Sequence, residues 1–103
     1  MTDFCNEIEK FGKGIGSASR YRLVENLFKG EKTVSELVKI TGLSQPAVSQ
    51  HLKTLKSANI VFNEKRGQEI FYSINIKYIL GILKNLSEKV QKQKFHNNKS
   101  RRR

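Results

Sequence analysis

Gln45, Ser49, Lys53 and Lys56 recur at helical spacing, with Gln50 beside them and Ser44 directly before them. Their chemistry suits recognition of a polyanion with readable edges. A Gln amide donates and accepts, and can pair in bidentate fashion with adenine. A Ser hydroxyl can bond any base, and Lys neutralises phosphates. Val48, Leu52 and Leu55 fall at i, i+4 and i+7 on the opposite side. Residues 44–56 thus read as one helix with an apolar seat and a hydrogen-bonding outer face. Ser44 is the N-cap, and Pro46 is tolerated in the first turn next to Ala47. Asn59 follows the helix and accepts the left-handed conformation in which helices often end. A polar outer face alone is more often a plain surface helix, so the weight rests on what surrounds it.

Thr33-Val34-Ser35-Glu36 is a capping box, opening a short helix over residues 34–41 that Gly42 closes. Two short helices joined through a Gly-bearing turn make a helix-turn-helix. Val34, Leu37, Val38 and Leu43 are expected to pack on Val48, Leu52 and Leu55 and to fix how the second helix projects. Upstream, residues 3–12 form a first helix with Phe4, Ile8, Phe11 and Ile15 on one face. Gly12, Gly14 and Gly16 then weaken it and suggest a flexible joint. Their string resembles a phosphate loop only superficially: the G-x-x-x-x-G-K-[ST] spacing is missing and no strand precedes it. Ser17 or Ser19 caps a second helix over about 19–29, with Leu23, Val24, Leu27 and Phe28 as its buried face and Gly30 as its end.

Downstream, residues 60–64 and 69–74 read as two strands, the second from its alternation of Ile70, Tyr72 and Ile74 with Phe71 and Ser73. Lys65-Arg66-Gly67-Gln68 is the expected turn, placing Lys65 and Arg66 at a tip beside a phosphate backbone or minor groove. A last helix covers 76–92, with Ile79, Ile82, Leu83, Leu86 and Val90 at i, i+3, i+4, i+7 and i+11. This stripe and that of the first helix need a partner beyond the central core. A second subunit supplies one, and helix-turn-helix proteins commonly read two half-sites as two-fold dimers. Phe4, Ile8, Phe11, Ile79, Ile82, Leu83, Leu86 and Val90 are therefore the expected dimer interface.

The net charge of +11 is unevenly placed. Seven basic residues and no acid follow Glu88, leaving 13 basic and 9 acidic residues in 1–88. Residues 93–103 lack periodicity and are expected to form a basic disordered tail beside a single domain over 1–92. A polyanionic partner is the natural reading of such a charge distribution, although a basic tail can also serve solubility or bind anionic surfaces without specificity. Beside the helix-turn-helix, double-stranded DNA is the expected partner. No apolar run reaches the roughly 18 residues of a membrane span. Early acids (Asp3, Glu7, Glu9) and the lack of an apolar h-region argue against a signal peptide, and the lone Cys5 fits a reducing cytoplasm.

Three motifs resemble the arsenic-repressor-type (ArsR/SmtB) winged-helix regulators. Residues 15–23, Ile-Gly-Ser-Ala-Ser-Arg-Tyr-Arg-Leu, are similar to the opening of that family's second helix, and residues 43–52 to its recognition helix. Arg66-Gly67-Gln68 followed by Tyr72-Ser73-Ile74 resembles its wing. The resemblance covers about residues 4–90. It implies a mainly α fold with a two-stranded β-hairpin, a winged helix-turn-helix of order ααααββα. It also implies a homodimer joined through the first and last helices, binding an imperfect palindrome, usually as a repressor. Carried over, Gln45, Ser49 and Gln50 read bases with Pro46 and Ala47 close by, and Arg66 and Gln68 are wing contacts. Members that sense metal use a cysteine pair in the third helix, where this chain has Val38 and Ile40. Others use Asp and His on the last helix, where it has Ile76, Tyr78, Lys89 and Lys92. Cys5 stands where some members place an N-terminal thiolate, but lacks partners, and redox-sensing members need two cysteines. His51 and His96 suggest no site. No metal and no cofactor are expected.

The expected function is sequence-specific transcriptional regulation by a homodimer on an inverted repeat. The alternatives are a basic architectural DNA-binding protein with little sequence preference, or a scaffold for protein contacts. An enzyme is not expected, because no nucleophile–base pair, carboxylate pair or metal cluster is evident.

Overall fold

The computed structural model describes residues 3–100, and side chains as far as residue 93. The chain runs through helices α1 (Phe4–Ile15) and α2 (Ala18–Leu27), strand β1 (Lys32–Thr33), and helices α3 (Val34–Thr41) and α4 (Gln45–Ser57). Strands β2 (Val61–Arg66) and β3 (Glu69–Ile74) and helix α5 (Ile76–Ser100) complete it. This is a winged helix-turn-helix. Leu23, Val24 and Leu27 of α2, Leu37 of α3, Val48, Leu52 and Leu55 of α4, and Ile60, Val61 and Ile74 of the sheet region form one buried core. Phe11, Ile15, Val34, Val38, Leu43, Tyr72 and Ile79 pack around it.

Several sequence expectations are corrected. The expected hairpin of β2 and β3 is present, and a third antiparallel strand that the sequence did not suggest joins it, in the order β1-β3-β2. The added strand is only two residues long, pairing Lys32 with Tyr72 and Thr33 with Phe71, too short to show a period. Strand β2 continues through Lys65 and Arg66, so these residues are strand and not turn. Arg66 pairs with Glu69, which leaves Gly67 and Gln68 as a two-residue loop. Gly67 has φ 64° and Gln68 is not among the residues with positive φ, the sign pattern of a type II′ turn. Phe28 is 56% exposed: it lies beyond the last turn of α2, past the stripe that faces the core.

The glycine run is a close contact, not a flexible joint. Helix α1 continues through Gly12 and Gly14 to Ile15. A Cβ at Gly14 would come within 2.7 Å of the Ala58 Cβ and 2.9 Å of the Ile60 Cδ1, so glycine lets α1 sit against the end of α4. Arg20 then closes the helix end, donating from Nε to the Gly14 carbonyl (2.6 Å) and from Nη2 to that of Lys13 (3.0 Å). Ser17 is the N-cap of α2.

Helix α5 also departs from the expected disordered tail beyond residue 92. Its backbone is helical to Ser100, while Arg101, Arg102 and Arg103 lie outside the described residues. Its start is fixed by Asn75, whose carbonyl oxygen Oδ1 accepts from the Tyr78 amide (3.2 Å) while Nδ2 donates to the Asn59 carbonyl (2.9 Å). Among the described residues no helix is long and apolar enough to cross a membrane.

Candidate nucleic-acid interface

Helix α4 is positioned by interactions that the local sequence encodes. The α3 capping box is complete: Thr33 Oγ1 accepts from the Glu36 amide (3.2 Å) and Glu36 Oε1 accepts from the Thr33 amide (2.8 Å). At the other end of α3, Gly42 adopts φ 75° and its amide donates to the Val38 carbonyl, ending the helix in the left-handed conformation. Thr41 tightens the turn, donating to the Leu37 carbonyl (2.7 Å) and accepting from the Leu43 amide (3.2 Å). Ser44 Oγ then accepts from the Ala47 amide (3.2 Å) and starts α4. Asn59, with φ 65°, takes the left-handed position just after it.

Helix α4 divides into two sides. Val48, Leu52 and Leu55 are fully buried. Burial of such side chains is worth about 1.5–3 kcal/mol each, which seats the helix firmly. Ser44, Gln45, Pro46, Ser49, Gln50, Lys53 and Lys56 are exposed, and Ala47 and His51 are half-buried. Among the described residues, no hydrogen bond or ion pair engages the side chains of Gln45, Ser49, Gln50, Lys53 or Lys56. Their donors and acceptors face water and are open to an incoming ligand.

The wing is arranged differently. Lys65 and Gln68 are exposed near the loop and enter no ion pair among the described residues. Arg66 is engaged. Its Nη1 and Nη2 donate to the two carboxylate oxygens of Glu31 at 2.7 and 2.8 Å, and Nη2 also donates to Glu64 at 3.0 Å. The guanidinium carbon sits 4.6 Å from the centroid of the Phe71 ring. Hydrogen bonding to Arg66 holds the Glu31 carboxyl below its ordinary range, and the bonds to Glu31 and then Glu64 raise the Arg66 guanidinium above its own. Glu31 was not singled out in the sequence, where no local pattern marks it.

The expected dimer residues fall into two groups. Phe4, Ile8 and Phe11 on α1 and Ile79 on α5 are half-buried, and Ile82 is 3% exposed within its own chain. Helices α1 and α5 meet each other here. Phe11 and Tyr78 rings are 6.4 Å apart, and the Lys89 ammonium lies 4.7 Å from the Phe4 ring centroid. Burial, with the Glu7 charge second, raises the Tyr78 phenol above its ordinary pKa. Leu83, Leu86 and Val90 remain exposed, and so do Ile76 and Leu80. The uncovered stripe thus includes Ile76, Leu80, Leu83, Leu86 and Val90: it keeps three of the expected positions and takes in Ile76 and Leu80 in place of Ile79 and Ile82. The i, i+4, i+7 spacing of Ile76, Leu80 and Leu83 was the available signal.

Of the positions that the resemblance noted above implies for metal, Val38 is half-buried and Ile40 is exposed, and Ile76, Tyr78, Lys89 and Lys92 offer no usual ligand set. Cys5 is exposed. Among the described residues no three His, Cys, Asp or Glu side chains converge.

Residues 17–62 match the bacterial regulatory proteins of the arsR family. The chain is 32% identical over 63 residues to the transcriptional repressor SdpR of Bacillus subtilis, a match covering 61% of this chain and 70% of SdpR. Two other curated relatives, the nodulation protein NolR of Rhizobium meliloti and SmtB of Mycobacterium tuberculosis, are matched over 64% and 46% of their length. Among solved structures, NolR of Sinorhizobium fredii is 33% identical with a TM-score of 0.68, covering 82% of this chain and 84% of that one. The homodimeric winged helix-turn-helix DNA-binding domain of Mb0332 from Mycobacterium bovis shares the fold at 20% identity, with a TM-score of 0.68 and 82% of each chain covered. With the helix-turn-helix, the wing and these likenesses together, the chain belongs to the arsR family of DNA-binding transcriptional regulators.

Proposed function

We propose that the protein is a homodimeric repressor that reads an inverted repeat through two copies of α4. The observation that carries this reading is the division of α4: three fully buried leucine and valine side chains hold it, while Gln45, Ser49, Gln50, Lys53 and Lys56 stand outward with no partner among the described residues. Gln45 at the first helical position, Ser49 and Gln50 meet base edges in the major groove, and Ser44, Pro46 and Ala47 lie against the backbone beside them. Lys53, Lys56 and Lys65 neutralise phosphates, and Gln68 enters at the wing. SdpR is named a repressor and the Mb0332 domain a homodimer, which supports repression and pairing here. The second subunit covers the exposed stripe of Ile76, Leu80, Leu83, Leu86 and Val90 together with the adjoining face of α1. In the dimer the two reading helices sit about one helical turn, roughly 34 Å, apart.

The family's metal positions hold Val38, Ile40, Ile76, Tyr78, Lys89 and Lys92, so we read this member as lacking those sensing sites. On this reading it acts as a binding protein in the cytoplasm. Selection of bound sequences from random DNA, followed by footprinting at graded salt, tests the proposal. A two-fold symmetric site is the expected result; recovery of no preferred sequence would overturn it. Leu83→Lys in the uncovered stripe should halve the mass in sedimentation and abolish protection of the paired half-sites.

A further inference from the structure

The wing's only arginine is held by the protein itself. Arg66 makes a two-pronged contact with Glu31, adds a bond to Glu64, and lays its guanidinium over Phe71. These residues come from all three parts of the sheet region. Arg66 ends β2 on one edge, Phe71 belongs to the central strand β3, and Glu31 precedes β1 on the other edge. Glu31 is also two residues before Thr33, the N-cap of α3. The contact therefore spans the sheet and joins the end of the wing strand to the segment that launches the helix-turn-helix.

Such a strut has a clear mechanical role. Strand β1 pairs only with Tyr72 and Phe71, so the hairpin beyond them, residues 65–70, projects with two strands alone. Two-stranded ribbons are marginal and twist freely. A planar guanidinium forked onto a carboxylate restricts angle as well as distance. The local charge also disfavours a phosphate at this side chain. Glu31 and Glu64 both bond Arg66, so two carboxylates share this one cation, and a third acid, Glu69, stands opposite it in the strand register. A phosphate that drew Arg66 away would leave Glu31 and Glu64 uncompensated, well within a Debye length of about 8 Å.

We infer that Arg66 is a positioning residue: through Glu31 it sets the angle of the wing relative to α4, and it leaves phosphate contact to Lys65 and Gln68. This rests on the DNA-reading interface proposed above and revises the expectation that Arg66 itself touches DNA. The two roles predict opposite results. Binding of the whole chain to its selected site is measured by fluorescence anisotropy at several salt concentrations, for Arg66→Gln, Glu31→Gln and the double variant Glu31→Gln/Arg66→Gln. Each single variant should weaken binding by about fivefold, the upper end for an exposed ion pair, with the salt slope unchanged. The double variant should be within about twofold of the Arg66→Gln single, because the second change removes a bridge already broken. Amide exchange of residues 65–70 in the free protein should quicken in both single variants and no further in the double variant. A loss of about 0.9 in salt slope for Arg66→Gln, with tighter binding for Glu31→Gln, would instead identify a phosphate contact and overturn the inference. A double variant weakened by the product of the two single effects, about 25-fold, would overturn it too. If the unaltered protein selects no sequence, the DNA reading falls and this role falls with it; if it does and the two changes act independently, only the role of Arg66 falls.

Discussion

Helix α4 and the wing both present polar and basic side chains, yet they are held in different ways. The outer row of α4 is unengaged, because the helix is anchored from behind by Val48, Leu52 and Leu55. The wing has little behind its tip, so it is braced by one of its own cations, Arg66. A helix can spend its whole outer face on a ligand because its backbone hydrogen bonds are internal and its seat is apolar. A projecting hairpin cannot, because its shape depends on side chains at its edges. Counting basic residues therefore overstates what the wing offers to a polyanion and not what α4 offers.

The comparison breaks most severely if the seat of α4 is removed. Leu52→Ala should destabilise the fold by about 2–5 kcal/mol, read as a lower thermal midpoint. A loss well below that range would show that α4 does not depend on its apolar anchor. Next in size, Gln45→Ala should cost about 1–3 kcal/mol at its own base pair and relax preference there, measured with single-substituted operators. Equal weakening on cognate and scrambled DNA would refute base reading by this side chain. Lys56→Ala should act more evenly, weakening all sequences and reducing the salt slope by about one unit.

The smallest effect sharpens the wing side of the comparison. Because pairing lowers the Glu31 pKa in the folded state, its contribution is present above the unfolded carboxylate value of 4.5 and is lost as pH falls through the lower folded value. The stability difference between wild type and Glu31→Gln should thus be flat between about pH 7 and pH 5 and shrink in stronger acid. Chemical denaturation across pH would show this. A difference that closes already near neutrality would mean that the bridge is not maintained in solution.

The sequence was most legible where signals are local. The capping box of Thr33 and Glu36, the left-handed Gly42, and Ser44 as N-cap lie within one turn of the backbone groups they serve, and all three are found in place. The stripe of Val48, Leu52 and Leu55 likewise faces the core as its period required. Strand β1 was missed because two residues cannot display alternation. Lys65 and Arg66 were assigned to the turn because charged pairs before Gly are common there, whereas the type II′ loop needs only Gly67 and Gln68. The glycines of α1 looked like a joint, since nothing nearby reveals that Ala58 and Ile60 would crowd a larger residue.

By itself the sequence determined the helix-turn-helix, the two-faced helix at its centre and the resemblance to the arsR family, because each rests on spacings of a few residues. Tertiary structure decided the rest. It chose which apolar positions of α5 stay uncovered, burying Ile82 and leaving Ile76 and Leu80 outside. It also decided which cations remain open: those on α4 do, while Arg66 is claimed by an acid 35 residues away in the chain. Charge is written into the sequence, but its availability depends on which opposite charge folding brings alongside.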